Sequence, residues 1–337
     1  MSTELEFYDN TEVSCHKLCP RKYYFRHELG LTRAGKAPAL AFGLAWHAAM
    51  DVVWTMICNA KEKDDLKILK AAYVAWEQCW VEEGMSAPGD MSHEELDNLR
   101  MRTPDTAIEM ISSYILARRM FLETKVEQLL SIERPFAVPL LPDNDKLWYC
   151  GRMDKVMLME GRVYGVDHKT TTAYKKDGGF MSSFVDSFSP NSQVDGYAYA
   201  LHLLYPGKLG GIWIDGALVH KQARHFCWIP AVRSIDALDA WLYHTRTEIG
   251  LIEKFRADLK AADPNSNYLP SFPMHDRACW DFNSPCTYLD LCKGVPNPDS
   301  FISTNGIPDS YSIEHWSPFD VNQMEELGFK RDEVKHG

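Results

Sequence analysis

Two carboxylates and an ammonium fall within one short stretch of this chain, GRMDKVMLMEGRVYGVDHKTT at residues 151–171. Asp154 lies on one strand-like segment. Asp167 and Lys169 lie on the next, and residues two apart on a strand share a face. A tight turn at Glu160-Gly161 folds the segments into a hairpin and brings Asp154 alongside the other two. Carboxylates a few ångströms apart repel, and a hard divalent cation such as Mg²⁺ or Mn²⁺ removes the conflict. Such an ion acidifies its water and neutralises charge on a phosphorane-like transition state, while a neighbouring lysine orients the water or stabilises developing charge. The chemistry implied is phosphodiester hydrolysis. A DxK tripeptide alone is common, but this one follows the apolar VYGV, an interior strand where an idle Asp and Lys would be costly.

The elements that must position these groups are legible from periodicity. AFGLAWHAAMDVVWTMI, DLKILKAAYVAWEQCWVEEG and TPDTAIEMISSYILARRMFLETK carry apolar residues at helical spacing, with Thr103-Pro104 as cap and first turn. From about residue 131 the period becomes two, and SIERPFAVPLL, KLWYCGRMDKVMLM and GRVYGVDHKTT read as strands. NSQVDGYAYALHLLY is helical, GGIWIDGALVH and RHFCWIPAV are strands, and SIDALDAWLYHTRTEIGLIEKFRADLKAA is a long helix. Residues 264–300 read as irregular, and roughly 295–337 has no strong period. The class is α/β, a mixed sheet flanked by helices with a large helical insertion at about 50–130.

The length of 337 residues suits one elaborated domain or two, and the ordinary charged and apolar fractions exclude disorder and fibrous architectures. The net charge of -11 argues against a general nucleic-acid coat, yet tolerates a carboxylate-lined metal site beside a local basic channel. No apolar run reads as a membrane span and the start is acidic and polar, so a cytoplasmic protein without a membrane partner is expected. The GxxxxGK[ST] phosphate loop of a helicase motor is absent.

Nine cysteines in such a setting point to thiols or metal ligands. Cys279, Cys286 and Cys292 form a C-x6-C-x5-C array in a proline-containing segment, and Cys19 precedes Pro20 near the other end. Three clustered thiolates plus a distant one suit a [4Fe–4S] cluster. Zinc is the competitor, although the short x2–4 knuckles usual in its structural sites are missing. Cys15, four residues before Cys19, is an alternative ligand, whereas Cys58, Cys79, Cys150 and Cys227 sit in helix or strand patterns as core residues. Arg21, Lys22, Arg26, Lys175 and Lys176 are candidate phosphate contacts, and Tyr23, Tyr24 and Phe25 are candidates to stack on unpaired bases.

Taken together, GRMD followed by VDHKT resembles the paired motifs of the PD-(D/E)xK nuclease superfamily, in its RecB-like, CRISPR-associated exonuclease branch. GLAWH resembles that branch's upstream helix motif, QVDGY its downstream QxxxY helix, and CPRKYYF with the late cysteines its iron–sulfur subset. The resemblance covers roughly residues 5–295 and implies a restriction-endonuclease-like core with a cysteine-rich region at 264–295 closing on Cys19. It leaves 296–337 as a tail. It further implies that His47, Asp154, Asp167 and the His168 carbonyl bind the metal, that Lys169 is the catalytic lysine, and that Gln193 and Tyr197 border the site. Cys19, Cys279, Cys286 and Cys292 would hold the cluster. Asp167 stands where Glu is commoner, a shorter arm within the family's range. The expected activity is an exonuclease on DNA that is single-stranded or has a free end, in recombination, repair or processing, with a helicase, recombinase or CRISPR integration protein as partner. The rival expectation is a non-catalytic DNA-end-binding adaptor that keeps the fold and cluster.

Overall fold

The structure, a computed structural model, describes residues 5–33, 37–141, 144–175, 179–221, 225–263, 265–281, 284–315, 317, 319 and 321–329. In chain order it runs β1 (Glu6–Tyr8), α1 (Asn10–Leu18), α2 (Pro20–Tyr23), β2 (Leu31–Arg33), α3 (Pro38–Trp54), α4 (Asp65–Glu82), α5 (His93–Leu99) and α6 (Pro104–Thr124). There follow β3 (Gln128–Leu141), β4 (Asn144–Met159), β5 (Arg162–Thr171), α7 (Ser182–Asp186), α8 (Ser192–Leu204), β6 (Leu209–Leu218), β7 (Phe226–Ala231), α9 (Ile235–Lys260) and α10 (Leu289–Gly294). The chain divides into two compact units, a middle unit of residues 35–136 and 152–234 and a terminal unit of 1–34, 137–151 and 235–337.

In the middle unit, β4 and β5 form the expected antiparallel hairpin, with Met159 opposite Arg162. Glu160 and Gly161 both take positive φ, the backbone that a two-residue hairpin loop of this twist requires. β5 runs parallel to β6, and β7 returns antiparallel to β6, so the sheet is mixed. Gly165 is needed on β5, because a Cβ there would meet Ile212 Cδ1 at 2.8 Å and Leu201 Cδ1, on α8, at 3.3 Å. Helices α3, α4 and α6 bury Phe42, Trp46, Trp54, Trp76, Trp80 and Tyr114 in one cluster with Met157, Val166 and Ala217 of the sheet. α4 starts where the Asp64 carboxylate accepts from the Leu66 and Lys67 amides, and α6 where the Thr103 hydroxyl accepts from Thr106, ahead of Pro104.

α3 with its continuing π turn, Pro38–Asn59, is long and apolar enough to cross a membrane by length and composition alone. Half of that window is buried inside the protein, and the helix carries polar site residues, as a core scaffold would. This corrects the expectation that no apolar run reaches that length.

In the terminal unit β1 lies parallel to the first half of β4, with Tyr8 opposite Tyr149. Arg256 of α9 ties the early helices to α9. Its Nε donates to Glu28 at 2.7 Å, its Nη1 to Glu253 at 2.6 Å and its Nη2 to the Tyr23 hydroxyl at 2.9 Å. The stretch after 295 contributes a helix, Pro298–Asn305, and a strand, Tyr311–Ile313, that pairs antiparallel with β2. Phe319 and Met324 pack with Phe7 and Cys150.

Candidate metal centre

The β4–β5 register places Lys155 opposite Val166, so one step further Asp154 faces Asp167. Both are buried, and the His168 amide donates to Asp154 Oδ2 at 2.7 Å. His47, on α3, stands with Nδ1 3.2 Å from the same Oδ2. Glu133 of β3 completes a group with His47 and Asp154 whose candidate ligand atoms all lie within 4.8 Å of one another. Lys169 Nζ lies 2.8 Å from Asp167 Oδ2 and 3.0 Å from Oδ1.

Charge crowding is the dominant property here. Burial, then the Asp154 and Asp51 charges, push the Glu133 carboxyl up to about 7. Burial followed by Asp154 also raises Asp167 against the opposing pull of Lys169. Burial pulls His47 down, but the adjacent Asp154 carboxylate more than reverses it, and His47 ends above its ordinary value. Burial alone would raise Asp154, and His47, Lys155 and His168 hold it low. Lys169 follows the same logic, lowered by burial and raised further by Asp167. Two carboxylates and an imidazole with ligand atoms within 4.8 Å of one another suit a hard divalent cation, and Asp167 stands outside that group on the next strand.

Glu133 enters this group at a cost. Its φ is 47°, in the left-handed region that β-chain residues avoid, worth on the order of 1 kcal/mol of strain. Arg152 Nε holds its other oxygen at 2.8 Å. From α8, the Tyr197 hydroxyl donates to the Arg152 carbonyl at 2.9 Å, and Gln193 Nε2 donates to the Tyr197 oxygen at 3.3 Å. Gln193 and Tyr197 thus brace the β4 backbone two residues before Asp154. Lys155 is fully buried and pairs with Asp51, one helical turn beyond His47, at 2.5 Å. Glu133 and Asp51 carry no motif in the sequence; Asp51's only signal is its place four residues after His47.

The pattern of the PD-(D/E)XK nuclease superfamily matches residues 11–293. The chain belongs to that superfamily. Membership implies a metal-dependent nuclease with DNA as substrate, and the superfamily's name spells the Asp154, Asp167 and Lys169 pattern found on the hairpin. None of the curated proteins compared with the sequence matches it.

In this PD-(D/E)XK chain Cys15, Cys19, Cys279, Cys286 and Cys292 all belong to the terminal unit. The His275 amide donates to Cys19 Sγ at 3.4 Å, and the Cys286 amide to the Cys279 carbonyl at 2.8 Å. Burial, with smaller contributions from Cys19, Cys286 and Cys279, pushes Cys292 up to about 11. Burial likewise raises Cys279, with Cys19 and Cys286 adding to it. The four thiols are therefore neighbours, and Cys15, raised to about 12 by burial with Cys19 and Cys286 adding to it, stands among them. Among the described residues no cysteine trio has its sulfurs within 4.8 Å. A single tetrahedral zinc with bonds of about 2.3 Å would need sulfurs only ~3.8 Å apart. Cys58 and Cys150 are buried, and Cys79 and Cys227 half-buried.

Several proposed DNA contacts are corrected. Tyr23, Tyr24 and Phe25 are fully buried and have no ring face free for a base. The Tyr23 hydroxyl donates to Glu12 at 2.6 Å, the Tyr24 hydroxyl to Asp299 at 3.0 Å, and Phe25 stacks on Tyr288. Arg21 is also buried, with Nε donating to the Phe272 carbonyl at 2.9 Å. The alternation that looked like a binding strip is the packed start of the terminal unit. Lys22 is half-buried, Arg26 donates to the Glu314 carbonyl, and Lys175 is exposed; Lys176 lies outside the described residues.

Proposed function

We propose that this protein is a RecB-like, metal-dependent DNA exonuclease that hydrolyses single-stranded DNA or DNA with a free end. The observation that carries the reading is the half-buried group of His47, Glu133 and Asp154, with Asp167 and Lys169 on the next strand. A bound Mg²⁺ or Mn²⁺ supplies Lewis acidity and a water of lowered pKa. His47, Asp154 and Glu133 would hold the ion through their grouped ligand atoms, with Asp167 and the His168 carbonyl as the further ligands that the superfamily resemblance implies. Lys169, anchored on Asp167, orients the attacking water for in-line displacement and meets charge developing on the phosphate. Tyr197 and Gln193 keep β4 in place beneath Asp154.

A [4Fe–4S] cluster on Cys19, Cys279, Cys286 and Cys292 accompanies this centre, with Cys15 as a spare thiol. Its support is the mutual electrostatic influence of the thiols, which places them near one another. The setting is DNA recombination, repair or processing in the cytoplasm, beside a helicase, recombinase or CRISPR integration protein.

End-labelled single- and double-stranded DNA, incubated with Mg²⁺ or Mn²⁺, tests the reading. Stepwise shortening from an end supports it. Internal cuts alone would remove the exonuclease claim, and metal and DNA binding without cleavage would establish the adaptor function instead. Protein purified without oxygen should be brown and absorb near 400 nm; a colourless, zinc-loaded preparation would remove the cluster.

A further inference from the structure

A second polar group lies enclosed on the far side of the active strand. The parallel register sets His168 of β5 opposite Asp215 of β6. Asp215 Oδ1 accepts from Arg118 Nη2 at 2.6 Å and Nε at 3.2 Å, and Oδ2 accepts from the Tyr114 hydroxyl at 2.5 Å. The Tyr114 oxygen in turn accepts from Trp54 Nε1 at 2.9 Å, and the Arg118 guanidinium covers the Trp228 ring at 4.2 Å. All of these side chains except Trp228 are buried, beside a hydrophobic cluster that includes Met157, Val166, Ala217 and Val219.

Stability does not explain the arrangement. A buried ion pair is commonly no better than apolar residues of the same volume. The His168 ring is worse placed still, since it is fully buried and neither nitrogen makes a hydrogen bond. A buried polar atom left in that state costs about 1–3 kcal/mol. Asp215 faces the ring, with Oδ2 3.5 Å from His168 Nδ1. What the ring does occupy is a decisive position in the chain. It belongs to the residue whose amide donates to Asp154 Oδ2 and which lies between Asp167 and Lys169.

We propose that Asp215, clamped by Arg118 and Tyr114, is a positioning residue of the metal centre: it fixes the His168 ring and, through it, the peptide that orients Asp154. The proposal rests on the nuclease reading above. His168 serves through its main chain, and its ring is the handle by which β6 holds that main chain. Residues that orient metal ligands in this indirect way typically change metal affinity by about 10–100-fold when altered.

The test is Mn²⁺ titration calorimetry on the full chain, with cleavage kinetics alongside. Asp215→Asn should weaken Mn²⁺ binding about 10–100-fold and lower kcat at fixed Mn²⁺, with KM for DNA unchanged. Tyr114→Phe, which removes one clamp and keeps the ring, should do the same to a smaller degree. Val219→Ala, a buried truncation in the same cluster, should lower the melting temperature and leave Mn²⁺ affinity alone. Wild-type Mn²⁺ affinity in both Asp215→Asn and Tyr114→Phe overturns the proposal, as does a loss in Val219→Ala equal to theirs. Undiminished Mn²⁺ binding in Asp154→Asn would instead overturn the nuclease reading, and this proposal with it.

Discussion

The carboxylate centre and the cysteine group differ in what holds them before any metal arrives. Asp154, Asp167 and Lys169 sit on two long strands in register, His47 on a helix of 17 residues, and their neighbours are tied by short hydrogen bonds. The cysteines sit on scraps. Cys279 ends a four-residue turn, Cys292 lies in the six-residue α10, Cys286 follows a two-residue strand, and Cys19 is the extended residue between α1 and α2. Helical pieces this short do not hold themselves. Regular structure thus concentrates like charge in the first region, and a bound ion would relieve it. In the second region a bound cluster would supply the order.

The largest effect that would break the comparison is chemical. Asp167→Asn or Lys169→Ala should reduce cleavage on the order of 10³-fold or more, with DNA affinity and melting temperature close to wild type. Substantial residual cleavage in both would show that the hairpin is not the reacting centre.

The next effect is structural, and belongs to the other region. Cys286→Ser should abolish absorbance near 400 nm and lower stability by several kcal/mol, since binding energy at such a site is folding energy. Cys227→Ser, in β7, should keep the absorbance. Equal absorbance in the two variants would mean that the thiols are bystanders.

Legibility divides along the same line. The hairpin, its Glu160-Gly161 turn, the Thr103-Pro104 start of α6 and the late helix α9 follow from alternation, turn chemistry and capping, all local in sequence. Glu133 was not legible, because its part in the group comes from a single backbone dihedral on another strand. Asp215 left a trace, a lone carboxylate in the apolar IWIDGAL, but its partners lie about a hundred positions away on α6. Tyr23 and Tyr24 were misread for a related reason. An aromatic and basic run has the same composition whether it faces DNA or a core, and only the packing of Phe272 and Tyr288 on it decides.

Acid and base should act on the terminal unit through Glu12, buried beneath Tyr23 with Arg256 3.7 Å away. Burial raises its carboxyl from 4.5 to about 8, against the opposing pull of Tyr23 and Arg256. Below 4.5 both folded and unfolded chains carry the proton and nothing is lost. As pH rises towards 8 the unfolded chain ionises first, so folding holds more protons and stability falls, by a few kcal/mol in all. Glu12→Gln removes the titration. The melting-temperature difference, variant minus wild type, should therefore grow between pH 5 and 8; parallel curves would show that Glu12 ionises freely in the fold.

The smallest expected effect concerns Tyr24, and a near-zero result is what sharpens the contrast between a binding strip and a core. Tyr24→Leu keeps an apolar body in the pocket and removes the π face together with the hydroxyl that bonds Asp299. Losing that bond to an exposed carboxylate should cost about 1 kcal/mol of stability. If the ring stacked on a base, single-stranded DNA affinity would drop about tenfold or more, because each such contact contributes about 1–3 kcal/mol. Because Tyr24 is fully enclosed, anisotropy of labelled DNA should read the same Kd for variant and wild type. A tenfold loss would require the segment to open when DNA binds, and would return Tyr23 and Tyr24 to the substrate surface.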